Sequence, residues 1–247
     1  MTLEIVTIAD AASGASARIL PAVGFNCFSF QVRTPSGPLE TLWASPDFTT
    51  GKGRPSASGI PLMFPFAGRI RGTSFRYDGK TYELTAGDGQ GNAIHGFVID
   101  RPWRVTVREA DRVRGEFQAS TDEPELQKHW PGDFRIVADY RVQGSALVSE
   151  FTISNPGDRP LPFGFGTHTY FRVPLSQLAR QDGESIAALM ARAGLDFDLC
   201  FTSVQKRAIN TLHLALGERD RPPRLEQREY SRGRGRHAGR EEQRVPT

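Results

Sequence analysis

The sequence predicts an all-β protein in which residues 1–175 form a partial antiparallel β-sandwich domain. Stretches of apolar residues alternate with polar ones at a period of two, which is the pattern of a half-buried strand. Gly, Asp, Asn and Pro separate these stretches at intervals that suit short antiparallel strands. Helical patterns do not intervene, which argues against a parallel α/β fold.

The first clear hairpin lies at residues 75–84. Phe75–Tyr77 and Thr81–Leu84 flank the dipeptide Asp78-Gly79. Asp and Gly accept the positive φ angles that a two-residue hairpin turn requires. The segment is therefore predicted to form two antiparallel strands.

Residues 103–117 carry a second hairpin pattern, because apolar side chains occupy alternate positions and arginines fill most of the positions between them. Further strands are predicted at residues 134–142 and 147–153, on either side of a turn at Gln143-Gly144. Asn155–Asp158 predicts another turn. This series of short strands favours a sandwich or barrel.

Residues 176–247 differ in composition and predict an atypical tail rich in Arg, Gly and Pro. They hold 13 basic and 10 acidic residues, which is the whole net charge of +3, and only 3 of the 24 aromatic residues. Residues 184–193, followed by Gly194, predict a short helix, and no strand is predicted after Ser176. The remainder cannot bury enough apolar surface to offset its ordering entropy, so we expect it to be mostly disordered.

The amino terminus has neither the basic start nor the apolar run of a secretory signal, and no window reaches membrane-spanning length. We therefore expect a cytoplasmic protein with no membrane partner. Cys27 and Cys200 lie far apart and have no Cys or His at metal-ligand spacing. The sequence thus predicts two inert thiols, with no disulfide framework and no metal site.

Three segments differ in composition from the alternating strands and turns described above. Gly59–Arg71 is apolar, contains two interior prolines and ends in two arginines. Gly89–Phe97 is a loop of small residues that delivers His95, and Pro162–Phe171 has two glycines just before His168. Each feature alone has an ordinary explanation, because arginines are usually solvated and glycine-rich turns need no ligand. Their order and their neighbours make the combination specific.

These segments resemble the aldose 1-epimerase (galactose mutarotase) family. The recurring marks are Gly68-Arg69-Ile70 before the Asp-Gly hairpin, Asn92-Ala-Ile-His-Gly96, and Thr167-His-Thr-Tyr-Phe171. The resemblance covers about residues 25–173. It implies a galactose mutarotase-like supersandwich and an isomerase of carbohydrate metabolism, with a hexose such as glucose or galactose as substrate.

The resemblance also implies roles for four residues. Arg69 and His95 match residues that hold the sugar, His95 is in addition a candidate catalytic residue, and Tyr170 is a candidate for substrate binding. His168 matches the general acid that protonates the ring oxygen, while a carboxylate near the carboxyl terminus of the family takes the anomeric proton. Imidazole suits this role because it gains or loses a proton near neutrality. The resemblance implies no metal or organic cofactor.

The resemblance ends before the strands that carry the family's catalytic carboxylate, so the general base is not identified. We hypothesise that residues after Leu175 come from a shifted reading frame or a mispredicted gene end, which resequencing of the 3′ region tests. Two departures from the family pattern, Gly68 and Thr169, are tolerable. The activity of this form is left open.

Two other functions compete with the mutarotase. A non-catalytic carbohydrate-binding protein would use the same Arg and His residues without turnover. Nucleic-acid binding by the Arg/Gly tail is not favoured, because acidic residues dilute its charge. Arg71 and Arg76 are candidates for binding a hexose 6-phosphate, but solvation explains both equally well, and a free hexose is the expected substrate.

Overall fold

The computed structural model describes residues 3–172 and, in addition, the backbone of residues 199–202 and 224–227. The chain divides into two units after Val173. Among the described residues, no helix is both long enough and apolar enough to cross a membrane.

Residues 3–172 consist mainly of short strands. In chain order the strands are β1 (Val6–Ala9), β2 (Ser16–Leu20), β3 (Asn26–Thr34), β4 (Gly37–Glu40), β5 (Leu62–Met63), β6 (Arg69–Ile70), β7 (Ser74–Tyr77), β8 (Lys80–Glu83), β9 (Ala93–Ile94), β10 (Arg104–Arg108), β11 (Arg112–Gln118), β12 (Arg135–Gln143), β13 (Ala146–Ser154) and β14 (Gly166–Thr167). The helical segments are α1 (Ala119–Asp122) and the 3₁₀ segments Phe48–Thr50, Pro55–Ala57 and Pro124–Lys128.

Two four-stranded antiparallel sheets dominate this unit. Their strand orders are β1-β2-β3-β4 and β10-β11-β12-β13, so every neighbour in a sheet is also the next strand in the chain. The predicted hairpins are confirmed: β7 and β8 pair across Asp78 and Gly79, whose φ angles are 47° and 75°. The all-β antiparallel fold class predicted from the sequence is confirmed for this part of the chain.

Side chains from both large sheets share one hydrophobic core. Ile8 and Ile19 contribute from the first sheet and Phe117 and Tyr140 from the second, and all four are fully buried or nearly so. Phe25, just before β3, stacks on Tyr140 with ring centroids 5.8 Å apart. Burial of one such side chain stabilises the fold by about 1.5–3 kcal/mol, so this core is the main source of stability.

An arginine cluster covers the polar face of the second sheet. The Asp139 side chain is 5% exposed, and it accepts hydrogen bonds from Arg112, Arg114 and Arg141 at 2.7 to 3.2 Å. Burial by itself raises the pKa of Asp139, but the bonds from Arg112 and Arg114 outweigh it and lower the pKa. Arginines that alternate with apolar residues in the sequence therefore pair with a buried carboxylate. Arg112 and Arg114 reach it from β11, and Arg141 lies on the same strand as Asp139.

The second unit is described only through two strands, β15 (Leu199–Thr202) and β16 (Arg224–Gln227), which pair in parallel. The expectation of no strand after Ser176 was wrong at these two places, because short segments without clear alternation can still pair. The helix predicted at residues 184–193 lies outside the described residues, as does most of the predicted tail.

Candidate active site

Backbone hydrogen bonds tie together the segments that carry the predicted site residues. β6 pairs with β9, and the N–H of His95 donates to the carbonyl of Gly68 at 2.9 Å. β14 pairs with β5, and the N–H of His168 donates to the carbonyl of Pro61 at 3.1 Å. β5 and β6 lie in one short segment, and Arg69 is part of it. The strand pairs therefore bring His95 and His168, from two other parts of the chain, to the segment that carries Arg69.

His95 has a backbone conformation that few side-chain-bearing residues adopt. Its φ angle is 66°, and that of Gly96 is 76°. A Cβ added at Gly96 would lie 2.1 Å from the carbonyl oxygen of Phe64, so this position requires glycine. Backbone strain of this kind costs on the order of 1–3 kcal/mol and is often found at functional sites.

The two imidazoles are neighbours. The ring centroids of His95 and His168 lie 6.0 Å apart with their planes at 64°, and His168 stacks on Tyr170 at 5.0 Å and 30°. His95 is half-buried and His168 is exposed. Nδ1 of His95 is buried without a hydrogen-bond partner within the described residues.

Positive charges surround His95. Burial, and then the charges of His168, Arg69 and Arg54, lower the pKa of His95 below its usual value. The neutral imidazole is therefore favoured near pH 7, and it offers one hydrogen-bond donor and one acceptor.

Arg69 is held by a carboxylate that the sequence analysis did not single out. Nε of Arg69 donates to Oδ2 of Asp88 at 2.9 Å. Arg54, which contributes to the field at His95, was also missed. Asp88 lies in Gly87-Asp-Gly-Gln-Gly-Asn92, whose composition is that of a side-chain-capped turn. That signal predicts the turn and does not reveal the arginine beside it.

The hydroxyl of Tyr170 is already engaged. It donates to the carbonyl of Ser56 at 2.9 Å, and the ring packs between His168 and Trp43, whose centroid lies 6.3 Å away. The hydroxyl hydrogen of Tyr170 is therefore already used, which leaves the hydroxyl oxygen as an acceptor and the ring as an apolar surface for a sugar. The substrate-binding role predicted for it stays a prediction.

Three other aromatic side chains differ in their exposure. Trp43 is 43% exposed and Phe171 is 70% exposed, whereas Phe97 is buried in the core. Apolar ring surface of this kind suits the face of a sugar. Phe97 is thus a packing residue, and Trp43 and Phe171 remain available to a ligand.

Neither metal chemistry nor a reactive thiol is evident in residues 3–172. No three His, Cys, Asp or Glu side chains there lie close enough together to hold one metal ion. Cys27 is buried, and burial raises the pKa of its thiol to about 12. The thiol is therefore protonated at physiological pH and unreactive.

Comparison with known proteins shows the family. The sequence model for aldose 1-epimerase matches residues 6–199, beyond the predicted range of 25–173 at both ends. An Escherichia coli K12 protein with the provisional name glucose-6-phosphate 1-epimerase is 28% identical over 141 residues, which are 56% of this chain and 40% of that protein. The solved GalM/aldose epimerase homologue from C. elegans has 22% identity and a TM-score of 0.57, over 69% of this chain and 51% of that one.

A different relative matches over a short stretch. A 49-residue segment is 47% identical to 2,3-bisphosphoglycerate-dependent phosphoglycerate mutase of Lachnoclostridium phytofermentans and covers 20% of each chain. A match that leaves out four fifths of the mutase shows no membership in its family.

The chain spans about half the length, or less, of the E. coli and C. elegans relatives described above. The epimerase match nevertheless covers most of this chain, and the fold is shared with the solved homologue. This chain therefore belongs to the aldose 1-epimerase family.

Proposed function

We propose that this protein interconverts the α and β anomers of a hexose by acid–base opening of the sugar ring. The observation that carries the proposal is the pair of imidazoles, His95 and His168, whose rings lie 6.0 Å apart next to the guanidinium of Arg69. Ring opening removes a proton from the anomeric hydroxyl and delivers one to the ring oxygen as the bond from C1 to that oxygen breaks. Rotation about the C1–C2 bond and reclosure then give the other anomer.

His168 is assigned the delivery of the proton. Its side chain is exposed, so it can reach a bound sugar, and its ring is oriented by stacking on Tyr170. A positioned acid of this kind contributes about 10²- to 10⁴-fold to a rate.

His95 is assigned to binding. Burial and its cationic neighbours lower its pKa, so it is mostly neutral near pH 7. Because Nδ1 is buried, Nε2 is the ring nitrogen that can bind a sugar hydroxyl, as a donor or as an acceptor according to the tautomer. Arg69 supports it, because a guanidinium donates several hydrogen bonds at fixed angles. The two histidines are thus assigned different roles, His168 as the acid and His95 in binding.

Asp88 does not serve as the general base. Its two oxygens accept four hydrogen bonds, and the bonds from Asn92, then Gln90 and Arg69, hold the pKa of Asp88 well below its usual range. Such a carboxylate has little tendency to take a proton. The proposed reaction therefore needs a carboxylate other than Asp88 as its base.

A second candidate function follows from that requirement. If no carboxylate faces the sugar, the same Arg69, His95 and His168 bind it without turnover. The protein would then be a carbohydrate-binding relative of the epimerases.

For the substrate we infer a free hexose, with a hexose 6-phosphate as the alternative. Arg71 and Arg76 are exposed, and no contact within residues 3–172 ties them to the histidine pair. Arg54 favours the phosphorylated sugar, because with Arg69 it makes the surroundings of His95 cationic. The name of the E. coli relative points the same way.

Polarimetry tests the proposal. Freshly dissolved α-glucose, α-galactose and glucose 6-phosphate are followed with and without the full chain, and sugar binding is measured separately by calorimetry. We expect faster mutarotation of one sugar than in buffer, and a loss of about 10²-fold or more in His168→Ala. His129→Ala is the control, because His129 is a half-buried histidine whose Nδ1 bonds the carbonyl of Glu83.

The outcomes separate the candidates. Acceleration that depends on His168 supports the mutarotase. Sugar binding without acceleration favours the non-catalytic protein, and the absence of both overturns both. Equal loss in His168→Ala and His129→Ala would contradict the assignment of the acid.

A further inference from the structure

The loop Gly87–Asn92 is organised around the carboxylate of Asp88. Oδ1 of Asp88 accepts from the backbone N–H of Gln90 at 2.7 Å and of Asn92 at 3.0 Å, and Oδ2 accepts from Nδ2 of Asn92 at 2.8 Å. The N–H groups of Gly87 and Asp88 donate to the carbonyl of Asn92 at 3.0 and 3.3 Å. The loop is therefore closed on its own carboxylate.

The same loop is fixed to the strand pair β6–β9. Oδ1 of Asn92 accepts from the N–H of Gly72 at 3.0 Å, and the N–H of Ala93 donates to the carbonyl of Gly72 at 2.8 Å. Arg69 lies on β6 and His95 directly follows β9. Asp88 is thus held in place relative to both residues.

One further acceptor position of Asp88 is used by Arg69. Oδ2 accepts from Nε of Arg69 at 2.9 Å, and this is a single bond to the back edge of the guanidinium. The Asp88 side chain is 0% exposed, whereas that of Arg69 is 58% exposed. Within residues 3–172, Nη1 and Nη2 of Arg69 have no hydrogen-bond partner, so the front edge of the guanidinium is free.

We propose that Asp88 is a positioning residue that holds Nε of Arg69 and so presents the two Nη groups to the hydroxyls of the sugar. The inference rests on the proposed function, because it makes the sugar the partner of the free guanidinium edge. An unheld arginine loses much rotamer freedom when it binds a ligand, whereas a held one has lost it already. Asp88 therefore strengthens binding without touching the sugar.

The charge of Asp88 persists under all conditions relevant to the assay. Hydrogen bonds from the side chain and backbone of Asn92, followed by those from Gln90 and Arg69, lower the pKa of Asp88. The carboxylate is therefore ionised near neutral pH, and its bond to Arg69 is charge-assisted.

Asp88→Asn is the variant that tests this inference. The amide can keep the bonds from the two backbone N–H groups through its oxygen, but it then turns an NH₂ group toward Nε of Arg69 and Nδ2 of Asn92, which are both donors. The hold on Arg69 is lost while the shape of the side chain is kept. We expect KM to rise about 10-fold with a smaller change in kcat, since Arg69 binds the ground state and the transition state alike.

A double-mutant cycle with Arg69→Ala distinguishes positioning from loop stability. If Asp88 acts through Arg69, Asp88→Asn has little further effect on KM in the Arg69→Ala background. An equal rise in KM in both backgrounds would mean that Asp88 supports the loop alone, and it would overturn the inference. Gln90→Ala is the control within the loop, because only the backbone of Gln90 bonds Asp88.

A spectroscopic measurement keeps this test separate from the test of the function. In a ¹H–¹⁵N spectrum, the Nε–H signal that disappears in Arg69→Lys is assigned to Arg69, and we expect it to shift in Asp88→Asn. An unshifted signal overturns the hold on Nε whether or not the protein is active. A shifted signal in a protein that neither binds nor turns over sugar confirms the hold and overturns its assigned purpose together with the proposed function.

Discussion

Replacement of Gly96 by alanine tests how much the close backbone packing beside His95 contributes to stability. Gly96 has a φ of 76°, and its missing Cβ would lie 2.1 Å from the oxygen and 2.4 Å from the carbon of the Phe64 carbonyl. That oxygen accepts the N–H of Phe97 at 2.8 Å, so it cannot move away without loss of a hydrogen bond. Both neighbours are backbone atoms, which cannot rotate out of the way as a side chain can.

The expected cost has two parts. A positive φ costs an alanine about 1 kcal/mol, and overpacking against fixed backbone adds about 1–3 kcal/mol. Gly96→Ala should therefore destabilise the protein by about 2–4 kcal/mol, which corresponds to a fall in Tm of roughly 4–16 °C for a unit of this size.

Gly79→Ala separates these two parts. Gly79 has nearly the same φ, 75°, but a Cβ there would meet no atom within 4 Å. This variant should lose only about 1 kcal/mol. Both variants are measured by urea unfolding followed by circular dichroism. Equal losses in the two variants would refute the argument, because they would show that the contact with Phe64 contributes nothing.

Three other predictions follow from the contacts described above. The NMR titration midpoint of His95 should lie below 6.5 and rise in Arg54→Ala, since a positive neighbour has been removed, and an unchanged midpoint would contradict this account. Because the pKa of His95 is lower in the folded state, the unfolded state binds more protons. The stability that His95 contributes is therefore complete above pH 6.5 and is lost as the pH falls. Asp139→Ala should cost about 3 kcal/mol in urea unfolding, because it removes the carboxylate that pairs with Arg112 and Arg114. Glu125→Ala, in an exposed pair, should cost less than about 0.5 kcal/mol. Tyr170→Phe should lose about 1 kcal/mol of stability but keep KM within about twofold, and a larger rise in KM would show that the hydroxyl binds sugar.

Local patterns in the sequence were sufficient to predict the hairpins. Asp78-Gly79 predicts its own turn, because the φ angles that the turn needs are set by those two residues. The alternation in residues 134–142 likewise predicts that Ile136, Ala138, Tyr140 and Val142 are buried. It does not predict the burial of Asp139, which lies on the other face and is buried against arginines. The two short strands β15 and β16 carry no such pattern and were missed.

These patterns could not predict the hydrogen-bond partners within the site. Arg69 and His168 could be singled out by their motifs, but Asp88 could not, because what gives it importance is a bond to a residue 19 positions away. The sequence likewise could not show that the hydroxyl of Tyr170 donates to the carbonyl of Ser56, which lies 114 positions away.

The sequence by itself determined the all-β fold class and the hairpin turns, since each depends on neighbours along the chain. Its motifs also indicated the residues of the proposed sugar site. Only the tertiary structure decided that His95 and His168 are neighbours, that His95 is half-buried among cations, and that Asp88 holds Arg69. These properties arise from distances between segments that the chain brings together on folding. Burial and charge at a site depend on those distances, so they become defined once the segments have packed.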